Sequence, residues 1–313
     1  ASRSVLIQYL INKRFANVGR EPGTPPVNYA SAISNRDVLL GVPPVYRRYV
    51  HRFADVVRAL KGSYFYGPPS QQEMEKLAAG LIAGSREDKY KASVELEAVG
   101  PISAPLIEET APKGDGWTML YAGQALSYLG SQSGSDMILS AADSPDEEVR
   151  FEAAKFMGQI AGRRTLQMLR AMVSDKSPRV AIAAVEALLI SSQEAAGQVR
   201  LPSYDLVAVP VTDPGLMVKS NGRPMVVITG PGTLLTGSIK INLPGIGMGS
   251  VDEKTISVVA GPGADSEMLT VPATIDNILT LLARYDVPFE DARKVIVQLE
   301  DGGNLPYEVK WFE

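Results

Sequence analysis

The sequence predicts an α+β domain, built from a mixed sheet with helices, that is interrupted by an all-α repeat solenoid. Two observations predict this. Residues 86–192 repeat with a period of 30 or 31, whereas residues 201–313 carry short alternating runs separated by Gly and Pro, as strands do. The predicted boundaries are therefore 1–67 with 201–313 for a discontinuous α/β domain, and 68–200 for the helical repeats.

Two columns of residues define the repeat. Small residues recur at Ala92, Ala122, Ala153 and Ala184, and larger apolar residues follow four positions later at Leu96, Leu126, Met157 and Leu188. This spacing places each pair on one face of a helix, with a shorter second helix completing the unit. Ser144-Pro145 and Ser177-Pro178 precede two of the units, which predicts an N-cap followed by Pro at the first helical position.

The third unit has the strongest family character. Its Asp-x-x-Val-Arg-x-x-Ala-Ala pattern is formed by Asp146, Val149, Arg150, Ala153 and Ala154, and it resembles the short HEAT repeats, also called PBS-lyase-type repeats. Units of this kind bury their apolar faces only by stacking. We expect a HEAT-repeat solenoid of about four units, capped by a helix over Gln72–Ser85. A bilin-lyase activity would rest on the shared repeat name alone, without catalytic residues.

The flanking segments lack the repeat and predict a mixture of strands and helices. Before the repeats we expect a helix over Ser4–Phe15, a strand over Arg36–Val42 and a helix over Tyr49–Leu60. After the repeats we expect strands at Leu206–Val211, Met225–Thr229, Leu234–Asn242 and Thr255–Ala260, helices at Ile275–Tyr285 and Phe289–Glu300, and a strand at Tyr307–Phe312.

Four short segments of the flanks resemble the C-terminal part of the flagellar P-ring protein family, and they occur in the family's order. They are Ile11-Asn12-Lys13-Arg14-Phe15, Val42-Pro43-Pro44-Val45-Tyr46-Arg47, Arg223-Pro224-Met225-Val226-Val227-Ile228, and Val271-Pro272-Ala273-Thr274-Ile275 with Asp286-Val287-Pro288. In that family the flanks are directly connected. The resemblance therefore implies that the repeats are inserted into one domain.

The same resemblance implies a structural subunit of the periplasmic P ring around the flagellar rod. It implies a homo-oligomer in the basal body, with the rod and peptidoglycan as neighbours, and the HEAT repeats as an added interaction surface for another protein. We expect helices Ser4–Phe15 and Tyr49–Leu60 at the contact between subunits. The alternative is a HEAT-repeat adaptor that binds a partner protein and is displayed on a small α/β domain.

Composition excludes several kinds of chemistry. The chain has no Cys and a single His, His51, so thiol catalysis, cysteine-ligated zinc and histidine-based sites lack their residues. The net charge of −4 argues against a nucleic-acid binder. No apolar run approaches the roughly 20 residues that span a bilayer. We therefore expect no catalytic, cofactor or metal site and no transmembrane segment.

Five basic residues form the candidate interaction surface: Arg47, Arg48, Arg52, Arg58 and Lys61. Asp55 is the only acidic residue among them. Such a face is usually solvated, and contact with an anionic neighbour, either an adjacent subunit or a cell-wall polymer, is the functional alternative.

Three other groups are assigned structural roles. Gly245–Gly249 lacks the context of a phosphate-binding loop, so we expect a flexible loop there. The acidic group Asp143, Asp146, Glu147 and Glu148 is explained by helix capping. Tyr64, Phe65 and Tyr66 are expected to anchor the two modules to each other.

Overall fold

The computed structural model describes residues 2–18, 25–160, 162–191, 196–260 and 267–312. The chain forms two compact units, Ala1–Phe156 and Met157–Glu313. This division crosses the predicted boundaries, since residues 1–67 lie in the first unit with the first repeats. The discontinuous domain formed by 1–67 and 201–313 stays a prediction. Among the described residues, no helix is both long and apolar enough to cross a bilayer.

The first unit is helical, with one short hairpin. Its elements are α1 (Arg3–Phe15), β1 (Ala30–Ala32), β2 (Val38–Leu40), α2 (Val50–Ala59), α3 (Gln71–Ala83), α4 (Arg86–Val99), α5 (Ala104–Thr110), α6 (Gly116–Leu129), α7 (Ser133–Ala142) and α8 (Glu147–Met157). The hairpin β1–β2 is antiparallel and is tied to α1 by side chains. Asn12 bonds both backbone groups of Ala30, at 2.8 and 2.9 Å, and Gln8 accepts from the Ala32 N–H at 2.7 Å.

The repeats appear as successive helix pairs. The pairs α4/α5 and α6/α7 form the first two units, and α8 begins a third. Ala122 and Ala153 in the small-residue column are fully buried, which lets neighbouring helices approach closely. The approach of α7 to α6 is closer still, because a Cβ at Gly134 would lie 2.6 Å from the Ser127 nitrogen. The predicted stacking is confirmed in this unit.

The second unit begins with the last repeat helices and continues into two sheets. Its elements are α9 (Arg163–Met172), α10 (Pro178–Ser191), β3 (Gly197–Arg200), β4 (Asp205–Val209), β5 (Gly215–Lys219), β6 (Met225–Thr229), β7 (Lys240–Leu243), β8 (Ile246–Ser250), β9 (Thr255–Ala260), β10 (Glu267–Pro272), α11 (Ile275–Arg284), α12 (Phe289–Asp301) and β11 (Val309–Phe312). In the described residues α10 is followed by a strand, so the helices of the predicted repeats are α4 to α10.

The two sheets share one hydrophobic core. The first has the order β11-β5-β6-β4-β3 and is mixed, with β11 parallel to β5 and β4 parallel to β6. The second has the order β10-β9-β8-β7 and is antiparallel throughout. Buried residues of both sheets, such as Val226 and Ile256, belong to one cluster with Ile278 of α11 and Ile296 of α12. The predicted mixed sheet with helices is confirmed.

Helix ends follow the expected capping chemistry with one correction. Capping boxes at Ser70 and Ser85 begin α3 and α4. Pro178 is the first residue of α10, as predicted. In contrast, α8 begins at Glu147, and the Asp146 carboxylate accepts from the Glu148 N–H at 2.9 Å. Ser144-Pro145 is therefore not the start of α8, because Asp146 caps the helix instead.

The expectation of a flexible loop at Gly245–Gly249 is wrong. Residues Ile246–Ser250 form β8, which lies between β7 and β9. Ile246 and Met248 point into the core, whereas the alternate positions are glycines. Glycine thus hides the two-residue alternation that identifies a strand. The predicted strand Leu234–Asn242 is also shorter, since β7 begins at Lys240.

Candidate interaction surface

The N-terminal segment, described at residues 2–18 and 25–61, packs on the first helices of three successive repeats, α4, α6 and α8, called here the first-helix layer. The Tyr46 ring stacks on Tyr128 of α6 with centroids 4.3 Å apart and planes 8° from parallel. The Tyr49 ring meets Phe156 of α8 edge-on at 5.7 Å. Arg52 reaches into α4 and α6. The first-helix layer is therefore covered by the chain's own N-terminal segment.

Three aromatic rings form the centre of this packing. Phe15, Tyr46 and Phe53 lie with centroids 5.0 to 5.9 Å apart, and none is more than 2% exposed. Burying each such side chain stabilises the fold by about 1.5–3 kcal/mol. The N-terminal segment is thus an integral part of the first unit.

A buried ion pair joins α2 to α4. The Arg52 guanidinium lies 2.7 Å from the Glu97 carboxylate, and the two side chains are 1% and 0% exposed. Glu97 also accepts from the Tyr46 hydroxyl at 2.6 Å. A second guanidinium nitrogen donates to Gln124 of α6 at 2.9 Å. Each charged group therefore has several buried partners, as buried ions require.

The electrostatics of this pair follow from its burial. Burial raises the pKa of Glu97, and the positive charge of Arg52 opposes that rise. Burial acts to lower the pKa of Arg52, but the negative charge of Glu97, its hydrogen bond to Arg52 and the nearby tyrosines together raise that pKa above its ordinary value. Burial together with the charge of Glu97 also raises the pKa of the Tyr46 hydroxyl far above its ordinary value. Burial and the opposite charges thus act against each other on both members of the pair.

Arg14 fixes the other end of the N-terminal segment. Its guanidinium donates two hydrogen bonds to the Glu97 carbonyl, at 2.6 and 3.0 Å, near the C-terminal end of α4. A positive charge at this position also interacts favourably with the helix dipole. Glu97 therefore receives Arg52 on its side chain and Arg14 on its backbone.

The structure divides the predicted basic surface. Arg47, Arg48, Arg58 and Lys61 are exposed, whereas Arg52 is buried and belongs to the ion pair. Arg58 pairs with Asp55 at 2.7 Å, and Lys61 pairs with Glu95 at 3.3 Å. Within the part of the chain that the structure describes, Arg47 and Arg48 form no ion pair. Arg52 is corrected to a packing residue because its guanidinium is enclosed by α4 and α6.

Charge is strongly segregated along the chain. Residues 1–61 hold ten Lys and Arg against three Asp and Glu, a net charge of +7. Residues 101–148 hold one Lys against eight Asp and Glu, a net charge of −7. Both segments lie in the first unit. The acidic one includes α5 and α7, called here the second-helix layer.

The N-terminal segment also exposes large apolar side chains. Ile33 is 67% exposed and Leu39 63% exposed on the hairpin, and Val5 of α1 is 47% exposed. Arg36 is exposed between the two hairpin residues. Basic and apolar groups are therefore interleaved on this surface.

Comparison with known protein families supports the predicted repeats. Residues 103–189 match the HEAT repeats. The match covers 87 of 313 residues, so it identifies the repeats and leaves the flanks unassigned. No curated protein matches the chain. Helices α5–α10 are called the HEAT module below, with α4 as the predicted first helix of the same repeats. The resemblance to flagellar P-ring proteins is supported by neither comparison.

In the second unit the last helix of the HEAT module contacts the mixed sheet. Lys219 of β5 forms an ion pair with Glu186 of α10. Lys310 of β11 donates to the Asp175 carbonyl, just before α10, at 2.8 Å. The sheet edge and α10 are thus joined by two lysines.

His51 and the acidic residues before α8 have structural surroundings. His51 is exposed beside the Tyr49 ring, with centroids 5.5 Å apart. Asp146 caps α8 and accepts from the Trp117 indole N–H at 3.2 Å. Among the described residues no group of three or more His, Asp or Glu has a metal-binding arrangement.

The predicted aromatic anchor between the two modules is only partly described. Tyr66 is 91% exposed and so provides no buried anchor. The Phe65 side chain lies outside the described part. The pKa of Tyr64 is raised by burial, and this residue lines a groove with Lys61 and Glu73.

Sequence reasoning did not find Tyr46 and Glu97 as partners of Arg52. In the register of the repeats Leu96 corresponds to Leu126, so Glu97 corresponds to the half-buried Ser127. The repeat pattern therefore carried no signal for a buried carboxylate at this position.

Proposed function

We propose that the protein is a structural subunit whose HEAT module presents a surface for protein binding. The observation that carries this proposal is the arrangement of the HEAT helices, in which the N-terminal segment covers the first-helix layer of the first unit. Stacked helical repeats offer extended surfaces for partner proteins. In the first unit the second-helix layer carries exposed acidic residues, such as Glu109 and Asp136.

The finer proposal is a subunit of a periplasmic ring around the flagellar rod, in the basal body. Its support is the ordered resemblance of four flanking segments to P-ring proteins. Helix α11, the short Asp286-Val287-Pro288 turn, helix α12 and strand β11 follow one another in the order the resemblance implies. On this proposal the chain self-associates, the rod and peptidoglycan are its neighbours, and the HEAT module adds a contact to another protein.

We further propose that the chain acts without catalysis. The most deeply buried charged groups, Arg52 and Glu97, are satisfied by each other and by Tyr46 and Gln124. A catalytic acid or base needs access to a substrate and a pKa suited to proton transfer. This pair is buried and lacks that access, since its two side chains are 1% and 0% exposed.

The test is cryo-electron tomography of cells that express the tagged full-length protein. The proposal expects density for the tag in a ring around the flagellar rod, with a helical projection. Normal rings without the tag would contradict the flagellar proposal. Cross-linking of the tagged full chain in the same cells would then identify a different partner, and a single partner with a monomeric chain would support the adaptor alternative.

A further inference from the structure

Two surfaces of the first unit are complementary in charge. The N-terminal surface, defined by Ile33, Arg36, Leu39, Arg47 and Arg48, is basic and exposed. Three of these five residues are basic, although part of the +7 of residues 1–61 is neutralised by ion pairs such as Arg52–Glu97. Surfaces of opposite charge attract at close range, and salt screens the attraction.

The acidic surface is also accessible. It is defined by Glu109, Asp136, Asp143, Asp146 and Glu147, all of which are exposed. Glu109 lies on α5 and Asp136 on α7, whereas Asp143 and Asp146 lie in the turn before α8 and Glu147 is the first residue of α8. The Glu109 carboxylate has Lys113 as a neighbour at 3.3 Å, and Lys113 is the only Lys or Arg in residues 101–148.

The two surfaces are distinct. The N-terminal segment contacts the first-helix layer, through Arg52 to Glu97 and Gln124, and through Tyr46 to Tyr128. Helices α5 and α7 belong to the second-helix layer. A contact between two different patches of identical chains is heterologous, and it extends into a ring or a filament.

The apolar side chains favour a protein partner over a polyanion. Ile33 and Leu39 are 67% and 63% exposed beside Arg36. A cell-wall polymer would use the basic groups, whereas exposed branched side chains gain by burial against protein. A second copy of this chain supplies an acidic surface that is opposite in charge to the N-terminal surface.

We propose that copies of this chain associate head to tail, with the N-terminal surface of one copy against the acidic surface of the next. The proposal rests on the proposed structural function, because both require self-association. It adds the two surfaces and the symmetry of the contact.

Charge reversal tests the contact in the full chain. Sedimentation velocity would measure self-association of the parent, of Arg47→Glu/Arg48→Glu and of Glu109→Lys/Asp136→Lys at low salt. We expect each variant to raise the dissociation constant roughly tenfold or more. An equimolar mixture of the two variants should associate, since one then supplies acidic and the other basic surfaces. A chain with all four substitutions should self-associate again.

The matched control is Lys240→Glu/Lys254→Glu, which makes the same change in charge at two exposed residues of the second unit. It should associate as the parent does. The chain has no native Cys, so Leu39→Cys/Asp136→Cys offers a second measurement under oxidation. A ladder of oligomers is expected for a head-to-tail contact, whereas dimers from Leu39→Cys alone would indicate a two-fold contact and overturn the proposal.

The outcomes separate this inference from the proposed function. If the parent self-associates and the Arg47→Glu/Arg48→Glu variant matches the control, the interface is wrong while a ring subunit remains supported. If the parent stays monomeric and binds heparin or peptidoglycan through Arg47 and Arg48, the surface serves a polyanion and the inference is overturned. Self-association as expected, with the tag absent from basal bodies, would support the interface and contradict the flagellar role.

Discussion

Removing the Glu97 carboxylate should destabilise the first unit more than any surface change. In Glu97→Ala the Arg52 guanidinium keeps Gln124 at 2.9 Å and Ser93 at 3.3 Å but loses its counter-charge. The Tyr46 hydroxyl loses the acceptor at 2.6 Å. Removing one member of a buried ion pair leaves the other charge without a partner, and this lowers the free energy of unfolding by about 3–5 kcal/mol. This is a large fraction of the roughly 5–15 kcal/mol by which folded domains are stable.

A second variant separates the loss of a partner from the loss of the pair. In Tyr46→Phe/Arg52→Met/Glu97→Leu both charges and the orphaned hydroxyl are removed together. Replacement of a buried pair by apolar side chains is often neutral or stabilising, while Gln124 and Ser93 lose one partner each. We therefore expect the triple variant to be more stable than Glu97→Ala.

The assay uses the placement of the two tryptophans. Trp117 lies in the first unit and Trp311 in the second, so Trp311→Phe leaves a fluorescence reporter for the first unit alone. With a urea m-value of about 2 kcal/mol/M, Glu97→Ala should lower the unfolding midpoint by roughly 2 M. A midpoint within about 0.5 M of the Trp311→Phe parent would refute the assignment of a stabilising pair.

Three further predictions concern the helices of the first unit. Gly134→Ala should cost about 1–3 kcal/mol in urea unfolding, because its Cβ would lie 2.6 Å from the Ser127 nitrogen. Gly130→Ala should cost about 1 kcal/mol, since Gly130 ends α6 with φ of 80°, and Gly130→Asn should cost less. Hydrogen bonds from Ser85 hold the pKa of Asp88 below its usual range; this contribution to stability is present above the ordinary Asp pKa and is lost as pH falls through the folded pKa. The difference in unfolding free energy between the parent and Ser85→Ala should therefore be larger at pH 7 than at pH 2.

The repeats could be predicted because their signal is local and recurrent. Ala122 and Ala153 mark helix contacts that every repeat must make, so the period appears in the sequence itself. Strand β8 could not, since Gly247 and Gly249 remove the outward-facing side chains that reveal alternation. The sequence also placed Arg52 on a solvated face. Arg52 and Glu97 are 45 positions apart, and nothing local signals that they meet.

The N-terminal segment covers the first-helix layer and so limits where a partner protein can bind. This affects the choice between a ring subunit and an adaptor. In the first unit an adaptor that used this layer would have to displace Phe15, Tyr46 and Phe53, which are at most 2% exposed. It would also have to break the Arg52–Glu97 pair, and separating the members of a buried ion pair is strongly destabilising. A partner that binds the first unit must therefore use the second-helix layer or the N-terminal surface. Because these two surfaces carry opposite charges, a second copy of this chain is the first partner to test. The experiment that mixes the two charge-reversal variants tests this partner directly.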